Sequence, residues 1–127
     1  MRLTIRRWLN KRRISIVGVT RFSLIFRRNH PFRDKTDPFD VRVATLFDEA
    51  RLRRRFDIWE AITLPSLAAQ TDGDFALVVV TSSLLPDWAR ARLEATLSAQ
   101  PFASRIVAPG PDKDFTKTVR QNVRAAA

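Results

Sequence analysis

The 127-residue chain has no cysteine, no tyrosine, three glycines and one histidine. Without thiols there is neither a disulfide nor a thiolate metal site. The glycines stand apart at Gly18, Gly73 and Gly110, so there is no G-x-G-x-x-G, no Walker A sequence and no G-x-S-x-G. A glycine-rich backbone cradle for phosphate is thereby excluded, and phosphate recognition falls to Arg and Lys side chains. His30 has no second imidazole and no cysteine to share a metal or a triad. Long apolar runs are missing too. Ile14 to Val19 lasts six residues and contains Ser15 and Gly18, far short of the roughly 18–20 residues of a membrane span. No small-residue cleavage site follows it. These absences predict a cytoplasmic chain that touches a membrane only peripherally.

What is present is a globular balance: 45% hydrophobic and 28% charged residues, enough apolar mass for one domain or a piece of a larger one. The charge is lopsided. Residues 1–55 carry 16 Lys/Arg against 5 Asp/Glu, and residues 56–127 carry 7 against 8, which together give the net +10. Such a basic half suits a phosphate-rich ligand, an anionic membrane surface or nucleic acid.

Residues 1–13 read as a basic arm carrying Leu3, Trp8 and Leu9, and residues 14–127 as the folded domain. Ile14 to Thr20 is β-branched and apolar, which predicts a buried strand that Phe22 to Phe26 could extend. Asn29 to Asp40, with Pro31, Pro38 and three aspartates, marks a loop. Asp48 is placed to cap a helix in which Leu52, Phe56, Trp59 and Thr63 form a helical stripe, and Leu64 and Leu67 continue the apolar side to Gln70. Pro65 predicts a kink or a new turn in that helix. Phe75 to Val80, FALVVV, is apolar throughout and predicts a strand covered on both faces. Pro86 opens a helix with Ala89, Leu93 and Leu97 on one face, Ser104 to Ala108 reads as a third strand, and Asp114 as the cap of a last helix. The alternation predicts an α/β fold: a three-layer, Rossmann-like parallel sheet with right-handed crossovers.

In such sheets ligands bind outside the carboxyl ends of the strands. The ends of the first two predicted strands are Thr20-Arg21-Phe22 and Thr81-Ser82-Ser83, whose hydroxyls and guanidinium suit a base, ribose or phosphate. Ordinary strand-end and helix-start chemistry accounts for them equally well. Asp72-Gly-Asp74 enters a strand on the wrong side for a metal and reads as a turn. Asp112-Lys-Asp114 lies on the correct side, yet a helix cap explains it more simply. Arg54 and Arg55, in the run Arg51 to Arg55, are candidate phosphate ligands against the default of a solvated helix face. Their place near a helix N-terminus opposes the macrodipole and favours an anion. A nucleic-acid reading rests on the basic half with Trp8, Phe22, Phe26 and Phe32 interleaved; no RNA-binding signature supports it.

An ordered series of phrases resembles a known family. VTRFSLIF (Val19 to Phe26), the stretch Leu46 to Pro86 with TLPSLAAQT and VVVTS, and the RLEATL helix are similar to the rhamnosyltransferase family of GT-A-fold glycosyltransferases. The resemblance implies a nucleotide-sugar donor, a glycan or lipid-linked acceptor hydroxyl, and a divalent metal, Mg or Mn, held by an Asp-rich motif. It implies that Thr20, Arg21, Phe22, Thr81, Ser82 and Ser83 line the donor. The broader superfamily carries an Asp at the second strand end, which this chain lacks. The family's metal motif follows the helix that here ends in Ala127, so no metal ligands are expected in this chain. The expectation is the N-terminal, donor-binding half of the fold, inactive by itself, with residues 1–13 as its contact to anionic membrane.

Overall fold

The computed structural model describes residues 16–27 and 37–126; the basic arm, Ile14, Ser15, His30, Phe32 and most of the predicted loop lie outside the described residues. Strand β1 (Ile16–Arg21) leads to helix α1 (Phe39–Leu46) and then α2 (Glu49–Ile58). A π-helical turn at Trp59–Thr63 carries α2 into α3 (Leu64–Ala68). Strand β2 (Phe75–Val80), helix α4 (Asp87–Ser98), strand β3 (Ala103–Val107) and helix α5 (Phe115–Ala126) complete the order. The strands form one parallel sheet in the order β1-β2-β3.

A parallel sheet that grows one way with crossovers of one hand places both connecting helices on the same face. The core shows this: Leu77 and Val79 of β2 meet Leu52, Phe56, Trp59 and Leu64 from one connection and Ala89, Leu93 and Leu97 from the other. Helix α5 contacts β1 and β2, and Arg21 of β1 lies over its Phe115 ring, 4.3 Å from the centroid. Because Arg21 pairs in register with Val80, on the face opposite Val79, α5 covers the second face. After β3 the chain therefore doubles back across the sheet. Three layers result, and Leu77 to Val80 are buried on both sides, as the unbroken FALVVV run requires.

The helix ends follow local rules. Asp48 accepts a hydrogen bond from the Arg51 backbone N–H at 3.1 Å, and Asp114 accepts one from Lys117 at 3.0 Å. Each satisfies a donor that the first turn would otherwise leave open. Asp48→Ala is expected to lower the unfolding free energy by about 1 kcal/mol, read as a shift of the urea midpoint without a change in slope. Asp72 accepts from the Asp74 N–H at 2.9 Å, making the turn before β2.

Four expectations need correction. Phe22 to Phe26 does not extend β1: Ser23 has φ 49°, in the left-handed region, and turns the chain off the strand. Phe39 and Asp40 belong to α1 rather than to the loop, and α1 itself carries no strong sequence signal because none of its residues is buried. Strand β3 starts and ends one residue earlier than expected, since Thr81 N–H still reaches the carbonyl of Val107 at 2.9 Å while Ala108 has left the strand. The stripe on α2 shifts at the π turn, where the Leu64 N–H bonds the carbonyl of Trp59, five residues back. The extra residue leaves Thr63 half-buried at the margin and turns Leu64, 2% exposed, into the core, where the apolar side was expected to continue. It also precedes Pro65, whose ring cannot sit within an unbroken α-helical ladder.

Two polar links tie the connecting helices together. The Trp59 indole N–H donates to Thr96 Oγ1 at 3.2 Å. Arg92 of α4 forms a two-pronged pair with Glu60 and lies near Asp57. The hydrogen bond to Glu60 raises the Arg92 pKa, against the lowering that its partial desolvation causes. The same guanidinium covers the Phe56 ring at 4.7 Å.

Candidate functional site

The carboxyl end of the sheet is built by hydrogen bonds that continue the ladders past the strands. Phe22 N–H donates to the Val80 carbonyl at 2.9 Å, and Ser83 N–H to the Pro109 carbonyl at 3.2 Å. Farther along, Arg27 N–H donates to the Pro111 carbonyl at 2.8 Å and its Nε to Asp112 at 3.0 Å. The exits of β1, β2 and β3 thus meet at one end of the molecule.

Within that end the expected site residues have different environments. Thr20 is half-buried and Arg21 exposed. Phe22 is turned into the core, its ring 4.8 Å from Phe56 and 5.5 Å from Trp59 between centroids, so its backbone but not its ring lies at the strand end. Ser82 uses its hydroxyl locally, accepting from the Leu84 N–H at 3.0 Å, and thereby shapes the turn into α4. Ser83 is exposed beside Gly110, where a Cβ would stand 3.9 Å from its hydroxyl.

Thr81 is the unusual member. It is fully buried, yet among the described residues its Oγ1 has no hydrogen-bond partner, and Ser23 Oγ at the neighbouring strand exit is in the same condition. A buried hydroxyl left unpaired costs roughly 1–3 kcal/mol. The left-handed backbone of Ser23, uncommon for a residue other than Gly, Asn or Asp, adds a cost of order 1–3 kcal/mol. Both costs fall at adjacent strand exits. Sequence reasoning named Thr81 and missed Ser23, because nothing local in RFSLIF signals a left-handed serine.

Arg54 and Arg55 are exposed on α2, and no contact among the described residues joins them to the strand ends. Arg51 beside them is half-buried and donates to the Leu46 carbonyl at 3.0 Å. Its pKa is lowered by burial and by the charges of Arg55 and Arg54. Trp88, at the start of α4, holds Arg53 at 5.0 Å from its ring centroid. Of the aromatics that favoured nucleic acid, Phe22 is in the core, closed to a base, and Phe26 is half-buried with its ring 6.0 Å from that of Phe115.

The carboxylates on the same surface are already engaged. Asp112 is paired with Arg27, Asp114 caps α5, and no group of three or more His, Asp or Glu converges among the described residues. The described residues do not fit a metal site.

A parallel three-stranded sheet with its hydroxyls at the carboxyl ends is the frame on which the comparison with known families falls. The family described as putative rhamnosyl transferase matches residues 15–127. The chain belongs to that family. No curated protein and no solved structure matches the chain. The rhamnosyl transferase match begins at the first residue before β1 and takes in all three strand exits, so the buried hydroxyls Ser23 and Thr81 lie within it. Among the described residues no helix is long and apolar enough to cross a membrane.

Proposed function

We propose that the carboxyl ends of β1 and β2 hold the nucleotide of a sugar-nucleotide donor, in a donor-binding half of GT-A type, and that the protein serves transfer of that sugar, rhamnose by family, to a hydroxyl of a glycan or lipid-linked acceptor. The observation that supports this reading is the pair of buried hydroxyls, Ser23 Oγ and Thr81 Oγ1, unpartnered among the described residues, just past the ends of adjacent strands in a sheet whose topology puts ligands at that end. A base edge or ribose supplies both donors and acceptors, and so can satisfy both hydroxyls once the strand exits that now seal them part to admit it. Arg21, exposed at the same end, is positioned for the negative charge of a diphosphate. The missing Asp at the second strand end is then replaced in kind by neutral hydroxyls, which hydrogen-bond a base without the specificity of a fixed acceptor.

Titration calorimetry of the purified chain with dTDP and with UDP tests the reading. Saturable binding is expected, with amide shifts centred on Ser23, Thr81 and Gly110 in NMR spectra. Gly110 has a negative φ and tolerates a side chain, so Gly110→Leu should fold normally and lose the binding by filling the mouth beside Ser83. Absence of heat and of shifts with either nucleotide at millimolar concentration would sink the proposal.

A further inference from the structure

The two connecting helices divide the flanks of α2 between them. Arg53, Asp57 and Glu60 point toward α4, where they meet Trp88 and Arg92. Leu52, Phe56 and Trp59 point into the core. The flank left over carries Arg51, Arg54, Arg55, Ile58 and Ile62, spaced three and four apart and hence neighbours along one side of the helix. Ile58 and Ile62 are 56% and 61% exposed, and Ile16, on the edge strand β1 and on the face these helices cover, is 62% exposed. Arg54 and Arg55 have no ion-pair or hydrogen-bond partner among the described residues, and their charges lower the pKa of Arg51.

We propose that this flank is a docking surface for an anionic lipid bilayer, with Ile58, Ile62 and Ile16 entering the headgroup–acyl boundary and Arg54 and Arg55 meeting lipid phosphates. The stripe runs about 16 Å, eleven steps from Arg51 to Ile62 at about 1.5 Å each, with guanidinium groups at one end and branched apolar side chains at the other. That is the composition of an interfacial helix face, where the apolar side enters the boundary and basic residues reach the headgroups. Three mutually repelling guanidinium groups are relieved by a dense anionic surface, and the isoleucines gain a low-dielectric neighbour that water denies them. Nucleic acid offers the phosphates without a place for the isoleucines. Continuity favours the bilayer as well, because the chain reaches Ile16 from fifteen residues whose sequence has six Lys/Arg and no acidic residue. The phosphate chemistry expected of Arg54 and Arg55 is retained, and its source is the lipid rather than the donor.

Sedimentation of the full chain with vesicles of phosphatidylcholine alone, and with 30% phosphatidylglycerol, at near-physiological salt tests the proposal. Binding only to the anionic vesicles is expected, about 30-fold weaker for the double variant R54Q/R55Q if each surface arginine contributes about one factor of five, and weaker also for I58S/I62S. All four positions are half- or fully exposed, so the variants should melt like the parent. Because the chain has no cysteine, a single environment-sensitive probe can be attached at Ile62→Cys or, as a control on the opposite sheet edge, at Ser104→Cys. The probe at 62 should shift to the blue with anionic vesicles and the probe at 104 should not. Undiminished vesicle binding in both double variants, equal shifts at both probe sites, or tighter binding to a 20-nucleotide RNA than to the vesicles would each overturn it.

Discussion

Replacing Phe56 with alanine is expected to lower the unfolding free energy by about 3–5 kcal/mol, the range for emptying a well-packed aromatic site. Phe56 is fully buried and sits where the layers join. Its ring touches Phe22 from the β1 exit at 4.8 Å and Trp88 from α4 at 6.0 Å, and Arg92 lies over it at 4.7 Å. Removing the ring takes away the apolar contact and the cation–π partner together, and leaves Arg92 held by its acidic partners alone. The void is flanked by Phe22, whose backbone continues the β1–β2 ladder through its bond to Val80, so collapse into it would disturb the strand end. Against a total stability of about 5–15 kcal/mol for a domain, the variant should lose between about a fifth and all of it and melt well below the parent. Urea titration followed by tryptophan fluorescence, with Trp59 and Trp88 reporting from the two sides of the void, checks it. A loss under about 1 kcal/mol would mean that this core is far more plastic than its packing suggests.

How much of this was legible before the structure depends on whether the determinant is local. Asp48 and Asp114 cap through bonds three residues ahead, and their types and positions announce them. FALVVV cannot be half-exposed without losing most of its burial energy, so its place at the sheet centre follows from its composition. Ala89, Leu93 and Leu97 repeat at helical spacing and are all buried. The failures are non-local or geometric. Phe22 looks like a strand-end side chain available to a base, and only the arrival of Phe56 and Trp59 from 34 and 37 positions away turns it inward. Thr63 fits the 3.6-residue period, and the π turn ahead of Pro65 overrides that period by one residue. Ser23 is the site's least legible member, since a left-handed serine pays a cost that no sequence pattern advertises. Topology alone puts the three strand exits together; that two hydroxyls there are buried without partners among the described residues is a matter of packing that no sequence pattern carries.

That pairing of burial with unmet hydrogen bonding makes Thr81 the most discriminating position in the molecule. Thr81→Val exchanges a hydroxyl for a methyl of similar size and leaves the backbone bond to Val107 in place. In the absence of ligand the variant is expected to gain about 1–3 kcal/mol of stability, because it removes an unsatisfied buried oxygen. Nucleotide affinity should move the other way. A ligand group aimed at that oxygen would meet a methyl instead and would itself be left unpaired, weakening binding by a further ~1–3 kcal/mol, roughly 5- to 150-fold. Thr81→Ser keeps the oxygen and loses the methyl, so it should bind dTDP or UDP nearly as the parent does while losing some stability. The opposed signs carry the argument: a residue kept for packing would lose stability on replacement and leave affinity alone, whereas a ligand-facing residue gives up affinity and returns stability. Thermal unfolding and calorimetry on the same three proteins read both quantities. A valine variant that is more stable and binds nucleotide as tightly as the parent would remove Thr81 from the donor site and leave its orphaned hydroxyl without a role in binding.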